Sequence, residues 1–482
     1  MLKLFKDISV YTIGSILTTS VSFLLLPIYT RVLQPADYGQ LELVYLVAAI
    51  LSILYGLKVE LGYTRIYFLK DDKEFRKTLF FTGQGFNFLC SIIFIALIFS
   101  NIDRVSGLIL NFENGSYFLK LICISTMIEV LTYIPYNNLR LRFKSVQYVG
   151  VSLLNLLATV SSTIIFVVLL RYGVAGVLYG KIIGSSVMLL HLYFLTWNEF
   201  HLRFSLKQLW PMLAFSVFLI PSNLSSLILN MSNRYFLSEY QNLSDVGLFS
   251  LGAKIAAVIP LLITEPVKKA FSPYIFNLSN EPDKCKSVLS DFIRYFFLGL
   301  SFFVLAISVF ANDLIYIMAD KSYHGSGNIV FVLGISNLLL GLASIIVLAI
   351  HITRKTWIIT LTWVISSIAN IFLNIWLIPL YGRIGAAYAT MFSVGFILIL
   401  YIVAAIKTFP FKLPYFGFIK VFILLILFNQ IALSINYSLI LSITIKLGLL
   451  LVYLVILYFL PGIISAQDKA RITEALRKYF SK

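Results

Sequence analysis

The chain has 482 residues, of which 60% are hydrophobic and only 12% charged, with a mean hydropathy of +0.92. So little charge cannot cover the surface of a soluble protein of this length, and the composition predicts an all-α polytopic membrane protein. The net charge of +17 would suit a nucleic-acid partner, but the basic residues lie in short loops between apolar runs, a topology pattern that excludes that reading.

In chain order the apolar runs predict about 14 transmembrane helices, at 8–30, 39–62, 79–100, 117–137, 147–170, 174–197, 209–232, 246–266, 292–315, 328–351, 356–379, 384–406, 415–435 and 439–460. Each is near the roughly 20 apolar residues of helix that a bilayer core requires. No small-residue cleavage site follows the first run, so it reads as a retained helix and not as a signal peptide. The loops then alternate between two compartments. Of the 38 lysines and arginines, 27 fall on the side of the termini and 6 opposite, with the remaining 5 inside spans. That bias places both termini in the cytoplasm. Beyond the last span, Ile472, Leu476 and Phe480 recur among basic residues, the pattern of an interfacial amphipathic helix over 463–482.

A shift of about 208 positions brings two halves into register. Asp37 and Gly39 fall on Asp245 and Gly247, Glu129 falls on Asn337, and Tyr172-Gly173 meets Tyr381-Gly382 one position further on. The shift covers six spans, an even number, so the halves share one orientation, as in transporters with parallel repeats. The expected organisation is an N-lobe over 1–200, a C-lobe over 201–408, a helix pair over 409–462 and the cytoplasmic tail.

Polar residues inside the spans supply the candidate sites. Thr12, Ser15, Thr19 and Ser22 share one face of span 1, and Asn223, Ser226, Asn230 and Asn233 share one face of span 7. Such faces serve interhelical hydrogen bonding; their recurrence on equivalent spans also suits the lining of a wet cavity, with Asn223 and Asn230 facing cargo. An ionisable group at a helix centre costs about 2.5–3.5 kcal/mol on insertion scales, so it faces the bundle interior or water. Lys254, eight residues into span 8, and Glu129, mid-span in span 4, are therefore either structural or functional. The functional readings are an anion site for Lys254 and a partner or proton-carrying carboxylate for Glu129. Lys58 and Glu60 lie near enough to the end of span 2 to snorkel. Lys120 and Lys181 read as snorkelling or structurally paired, and Lys181 falls among Gly176, Gly180 and Gly184, a close-packing face. Arg31 is expected at a cavity mouth and Asp37 as a cap on span 2. Arg65 is a further basic group for an anion.

No catalytic or metal motif is present. His191, His201, His324 and His351 are scattered, and Cys90, Cys123 and Cys285 have no paired spacing. No extramembrane segment exceeds about 27 residues, too few for an ATPase. The chain reads as a transporter and not an enzyme, without a cofactor, driven by a proton or sodium gradient or by the membrane potential. Glu129 and Glu60 are the ion-coupling candidates.

Four stretches together resemble the polysaccharide-export branch of the multidrug/oligosaccharidyl-lipid/polysaccharide superfamily, which includes the Wzx-type O-antigen flippases. They are "LPIYTRVLQPADYG" (26–39), "GYTRIYFLKDDKEFRKT" (62–78), "NNLRLRFKSVQY" (137–148) and "DVGLFSLGAKIAAVI" (245–259), the last with Lys254. Relatives often end span 7 in Asp-Arg; Asn233-Arg234 stands here, which weakens the expectation of an acidic partner for Arg234. The resemblance implies two lobes around a central cationic cavity, working by alternating access. The implied cargo is an undecaprenyl-diphosphate-linked glycan, carried from the cytoplasmic to the periplasmic leaflet of the bacterial inner membrane for O-antigen, capsule or exopolysaccharide synthesis. Arg31, Arg65, Arg234 and Lys254 are then the basic groups for the diphosphate, and membrane lipids and other polysaccharide assembly proteins are the implied partners. By analogy with lipid II flippases, the last two spans would hold part of the lipid tail. A lipid II flippase and a drug/cation antiporter of the same fold are the alternatives, the antiporter calling for acidic cavity residues.

Overall fold

The computed structural model of the protein describes residues 25–435 and 439–460. Most of the first predicted span, including Thr12, Ser15, Thr19 and Ser22, and the tail over 463–482 lie outside the described residues. Among those described, every regular element is helical. In chain order they are α1 (Leu26–Val32), α2 (Pro35–Leu54), α3 (Val59–Ile66), α4 (Lys73–Phe99), α5 (Ile102–Ile109), α6 (Gly115–Leu141), α7 (Ser145–Thr163), α8 (Gly173–Thr196) and α9 (Leu206–Val217). There follow α10 (Ile220–Tyr240), α11 (Leu243–Ala256), α12 (Glu265–Asn277), α13 (Pro282–Met318), α14 (Val330–Ile352), α15 (Trp357–Thr408), α16 (Tyr415–Leu433) and α17 (Leu439–Phe459).

Among the described residues, eleven helical stretches are long and apolar enough to cross a bilayer, and α9 with α10, bent by 45°, makes a twelfth. The 52 residues of α15 would reach about 78 Å at 1.5 Å per residue, over twice the bilayer core. Gly382, at φ 55°, turns that helix back on itself. A Cβ on Gly385 would strike the Leu377 carbonyl, so the two arms are in backbone contact and correspond to the predicted spans 356–379 and 384–406. The protein is a multi-pass membrane protein; most of the first of the 14 predicted spans lies outside the described residues.

The chain divides into two compact units, one running to Ser250 and including Met318–Tyr323, the other comprising Leu251–Ile317 and the residues from His324 onward. In the first unit, Pro35 opens α2 at its first turn and the Asp37 carboxylate accepts the Gln34 N–H at 3.2 Å, a capping box. The second predicted span then breaks: Leu57 and Lys58 take left-handed φ of 43° and 57°, and α3 restarts at Val59. The restart leaves first-turn N–H groups without helical partners. That of Gly62 is taken by the Ser216 hydroxyl at 3.1 Å, at a place where a Cβ on Gly62 would collide with the Met212 backbone. Further along, Gly176, Gly180 and Gly184 seat α8 directly on Phe166, Thr163 and Thr159, the close packing that their spacing predicts.

In the second unit, Pro260 has no N–H to give the carbonyl four residues back, and a π-helical turn follows over Pro260–Thr264. Asn337 Nδ2 donates to that Ala256 carbonyl at 2.9 Å, which restores the lost bond from a neighbouring helix. The α16–α17 pair packs on α13 through Phe297–Phe418 and through Tyr453, whose hydroxyl donates to Ser301 Oγ at 3.1 Å.

Candidate functional site

The break between α2 and α3 gathers intramembrane charge. Lys58 Nζ lies 5.8 Å from the centroid of the Tyr133 ring, and Tyr133 Oη donates to Glu129 Oε1 at 3.3 Å. Glu129 Oε2 accepts from Lys181 Nζ at 2.9 Å, and that ammonium stands 5.3 Å from the Tyr45 ring centroid. One continuous chain of contacts thus runs from α2 through the break to α6 and α8. Glu60, buried at the start of α3, is two residues from Lys58. Each part has a local origin. A left-handed non-glycine residue costs of order 1 kcal/mol and here re-aims Lys58 away from a continued α2. The glycine face of α8 sets Lys181 at the level of Glu129. The side chains of Lys181 and Glu129 keep 24% and 36% of their exposure. Chemically, a carboxylate and an anion would compete for one ammonium.

A second ion pair is sealed. Arg234 Nε donates to Glu42 Oε2 at 2.9 Å, with side-chain exposures of 9% and 3%, and its Nη1 donates to the Asn230 carbonyl. The acidic partner missing from residue 233 is therefore supplied by α2. Glu42 was legible only as an ionisable residue eight positions into α2.

The remaining candidates are dispersed. Arg31 is exposed at the end of α1 and Arg65 at the end of α3. The Arg65 guanidinium sits 4.4 Å from the Phe215 ring centroid. Asn223 and Asn230 both turn their amide N–H to their own helix, to the carbonyls of Leu219 and Ser226. Lys254 is half-buried on α11, in the second unit. Sequence reasoning passed over Asp313, paired with Lys446 at 2.6 Å, and the buried Asn370, whose Nδ2 reaches Ser393 Oγ at 3.1 Å. A search of the spans for acids and amides, and not only for lysines, would have found them.

Multiple apolar spans and buried charge pairs define an integral membrane protein. Over 93% of this chain and 98% of the other, the fold matches a lipid II flippase, MurJ, in an inward closed conformation, with a TM-score of 0.72 at 15% identity. It also matches an inward-facing multidrug resistance MATE family transporter of the MOP superfamily, with a TM-score of 0.66 at 15% identity over 83% of this chain and 99% of that one. The profile described as "Polysaccharide biosynthesis protein" matches residues 28–326, and the chain belongs to that family. A protein of the Lsg locus of Haemophilus influenzae is 22% identical over 412 residues, covering 80% of this chain and 96% of its own length.

Proposed function

We propose that the protein is a flippase that moves undecaprenyl-diphosphate-linked oligosaccharide from the cytoplasmic to the periplasmic leaflet of the bacterial inner membrane by alternating access. The observation that carries this reading is that a polysaccharide biosynthesis family member is built of membrane spans on a fold shared with a lipid II flippase. A saccharide precursor attached to a lipid is the form of that pathway's material which such a chain can handle. The basic bias of the loops supports the orientation, with both termini cytoplasmic.

The Lys181–Glu129 pair suits a diphosphate cargo. An arriving diphosphate oxygen displaces Glu129 from Lys181, and a proton or sodium ion on Glu129 favours the exchange by neutralising the competitor. Loss of that ion on the far side lets the carboxylate recapture Lys181 and expel the cargo, with Glu60 beside Lys58 as a second carboxylate of the same kind. Lys254, Arg31 and Arg65 supply further positive charge along the route.

The test is flipping of a fluorescent undecaprenyl-diphosphate oligosaccharide by purified protein in vesicles, with lipid II and a cationic drug as rival cargoes. Protein-dependent flipping that falls in Lys181→Ala and Lys254→Ala upholds the reading. Transport of lipid II or of the drug alone replaces it with that alternative.

A further inference from the structure

In the second unit a cavity of about 650 Å³ opens among α13, the turn after it, α16 and α17. Its size falls within the range of small-molecule sites, about 300–1,000 Å³. Among its lining residues are Asn312, Asp313, Tyr316, His324, Asn429 and Lys446. The site is built and not incidental. Asp313 and Lys446 are paired at 2.6 Å with side-chain exposures of 16% and 8%. The Asn312 carboxamide oxygen packs directly against Gly327.

Several polar side chains of this cavity make few hydrogen bonds with the described residues. Asn429 is 4% exposed, yet its side chain has no hydrogen-bond partner among the described residues. Nor do the side chains of Asn312 and His324, and the Lys446 ammonium has a single hydrogen-bond acceptor, leaving two N–H groups. Asn429 and Lys446 are buried, Asn312 is exposed and His324 half-buried, and the Ser308 hydroxyl on the same wall is buried without a partner among the described residues, the kind of group that a polar ligand satisfies. The donors and acceptors are mixed, as hydroxyl groups require, and the ion pair is neutral, so the wall does not select a strong anion. At the rim Tyr316, 62% exposed, and His324 lie with ring centroids 5.4 Å apart and offer aromatic faces to the C–H face of a sugar ring.

We infer that this cavity is a saccharide subsite, which holds one or two sugar residues of the glycan while other parts of the protein handle the diphosphate; the inference rests on the cargo class proposed above. The α16–α17 pair then contributes to glycan recognition through Asn429 and Lys446, in addition to any contact with the lipid chain.

The experiment is labelling protection. Tyr316→Cys, at an exposed rim position, is reacted with a maleimide in vesicles, with unsubstituted protein as the background for Cys90, Cys123 and Cys285. The probes are the polyprenyl-diphosphate oligosaccharide fraction extracted from the source cells and, separately, bare undecaprenyl diphosphate. The expected result is labelling slowed at least about fivefold by the glycan-bearing probe and unchanged by the bare lipid. In a second variant that also carries Asn429→Leu, the protection should be lost while labelling without probe stays at its former rate. Equal protection by both probes, or by neither, overturns the subsite, as does protection by phosphatidylglycerol vesicles without any glycan. Transport of the same fraction by wild type is read in parallel. Protection without transport keeps the subsite and removes the flippase reading; transport without protection does the reverse.

Discussion

Gly39 and Gly247 meet across α2 and α11 so closely that a Cβ on Gly39 would strike the Leu243 carbonyl and a Cβ on Gly247 the Pro35 carbonyl. These are two positions that the 208-residue shift pairs, and both sit just inside a helix with a capped first turn: Asp37 accepts the Gln34 N–H in α2, and the Asn242 side-chain oxygen accepts the Asp245 N–H in α11. Gly39→Ala should force the helices apart at a cost of about 1–3 kcal/mol, typical of overpacking. Thermal unfolding in detergent is expected to show a lower midpoint for Gly39→Ala and for Gly247→Ala. For the two together the loss should be less than the sum, because either methyl already opens the contact. Unchanged midpoints would mean the contact opens without cost.

Breaking the sealed ion pair should be more costly than deleting it. Arg234→Gln leaves the Glu42 carboxylate buried without its cation, worth about 3–5 kcal/mol of destabilisation. Arg234→Gln with Glu42→Gln should regain most of that loss in the same unfolding measurement. A double variant no better than the single one would show that Arg234 acts through contacts other than Glu42.

The Lys181–Glu129 pair predicts a different outcome, because it is half-open. Lys181→Ala should reduce flipping by at least about tenfold, the effect of roughly 1.4 kcal/mol of lost interaction with the cargo. Glu129→Gln should bind the cargo more tightly and release it more slowly, so that binding and turnover move in opposite directions. Parallel losses of both in Glu129→Gln would count against competition for the lysine.

Asn337→Leu should destabilise the protein by about 1–3 kcal/mol, since it leaves the Ala256 carbonyl unpaired. Pro260→Ala restores the N–H that this carbonyl lacks, so Asn337→Leu in that background should cost much less. The comparison of unfolding midpoints across the four proteins isolates the bond.

The parts of this fold that the sequence made legible are those settled within one helix or between neighbours. Apolar length marks the spans, Pro35 and Asp37 mark the start of α2, and the glycine spacing of α8 marks a face that packs on α7. The turn at Gly382 has its counterpart at Gly173, both with φ near 55°, in the matching Tyr-Gly pairs. Partners distant in the chain were not legible. Glu42 and Arg234 are 192 residues apart, and helical periodicity fixes which residues share a face but not which neighbour that face meets. Asn223 and Asn230 each donate an amide N–H to the carbonyl four residues back, a local bond that helical periodicity does not reveal.

The bond between Asp313 and Lys446 has a consequence for how the protein is made. The lysine is synthesised 133 residues after the aspartate. At about 5–20 residues per second, α13 waits roughly 7–27 s for its counter-charge. During that interval the carboxylate has to stay hydrated or protonated at the insertion machinery, so α13 cannot settle finally against its neighbours. Helix α17 therefore completes the environment of α13 chemically as well as spatially. A chain that ends before residue 446 carries an acid with no cation in apolar surroundings, a defect that distinguishes the truncated product from the finished one.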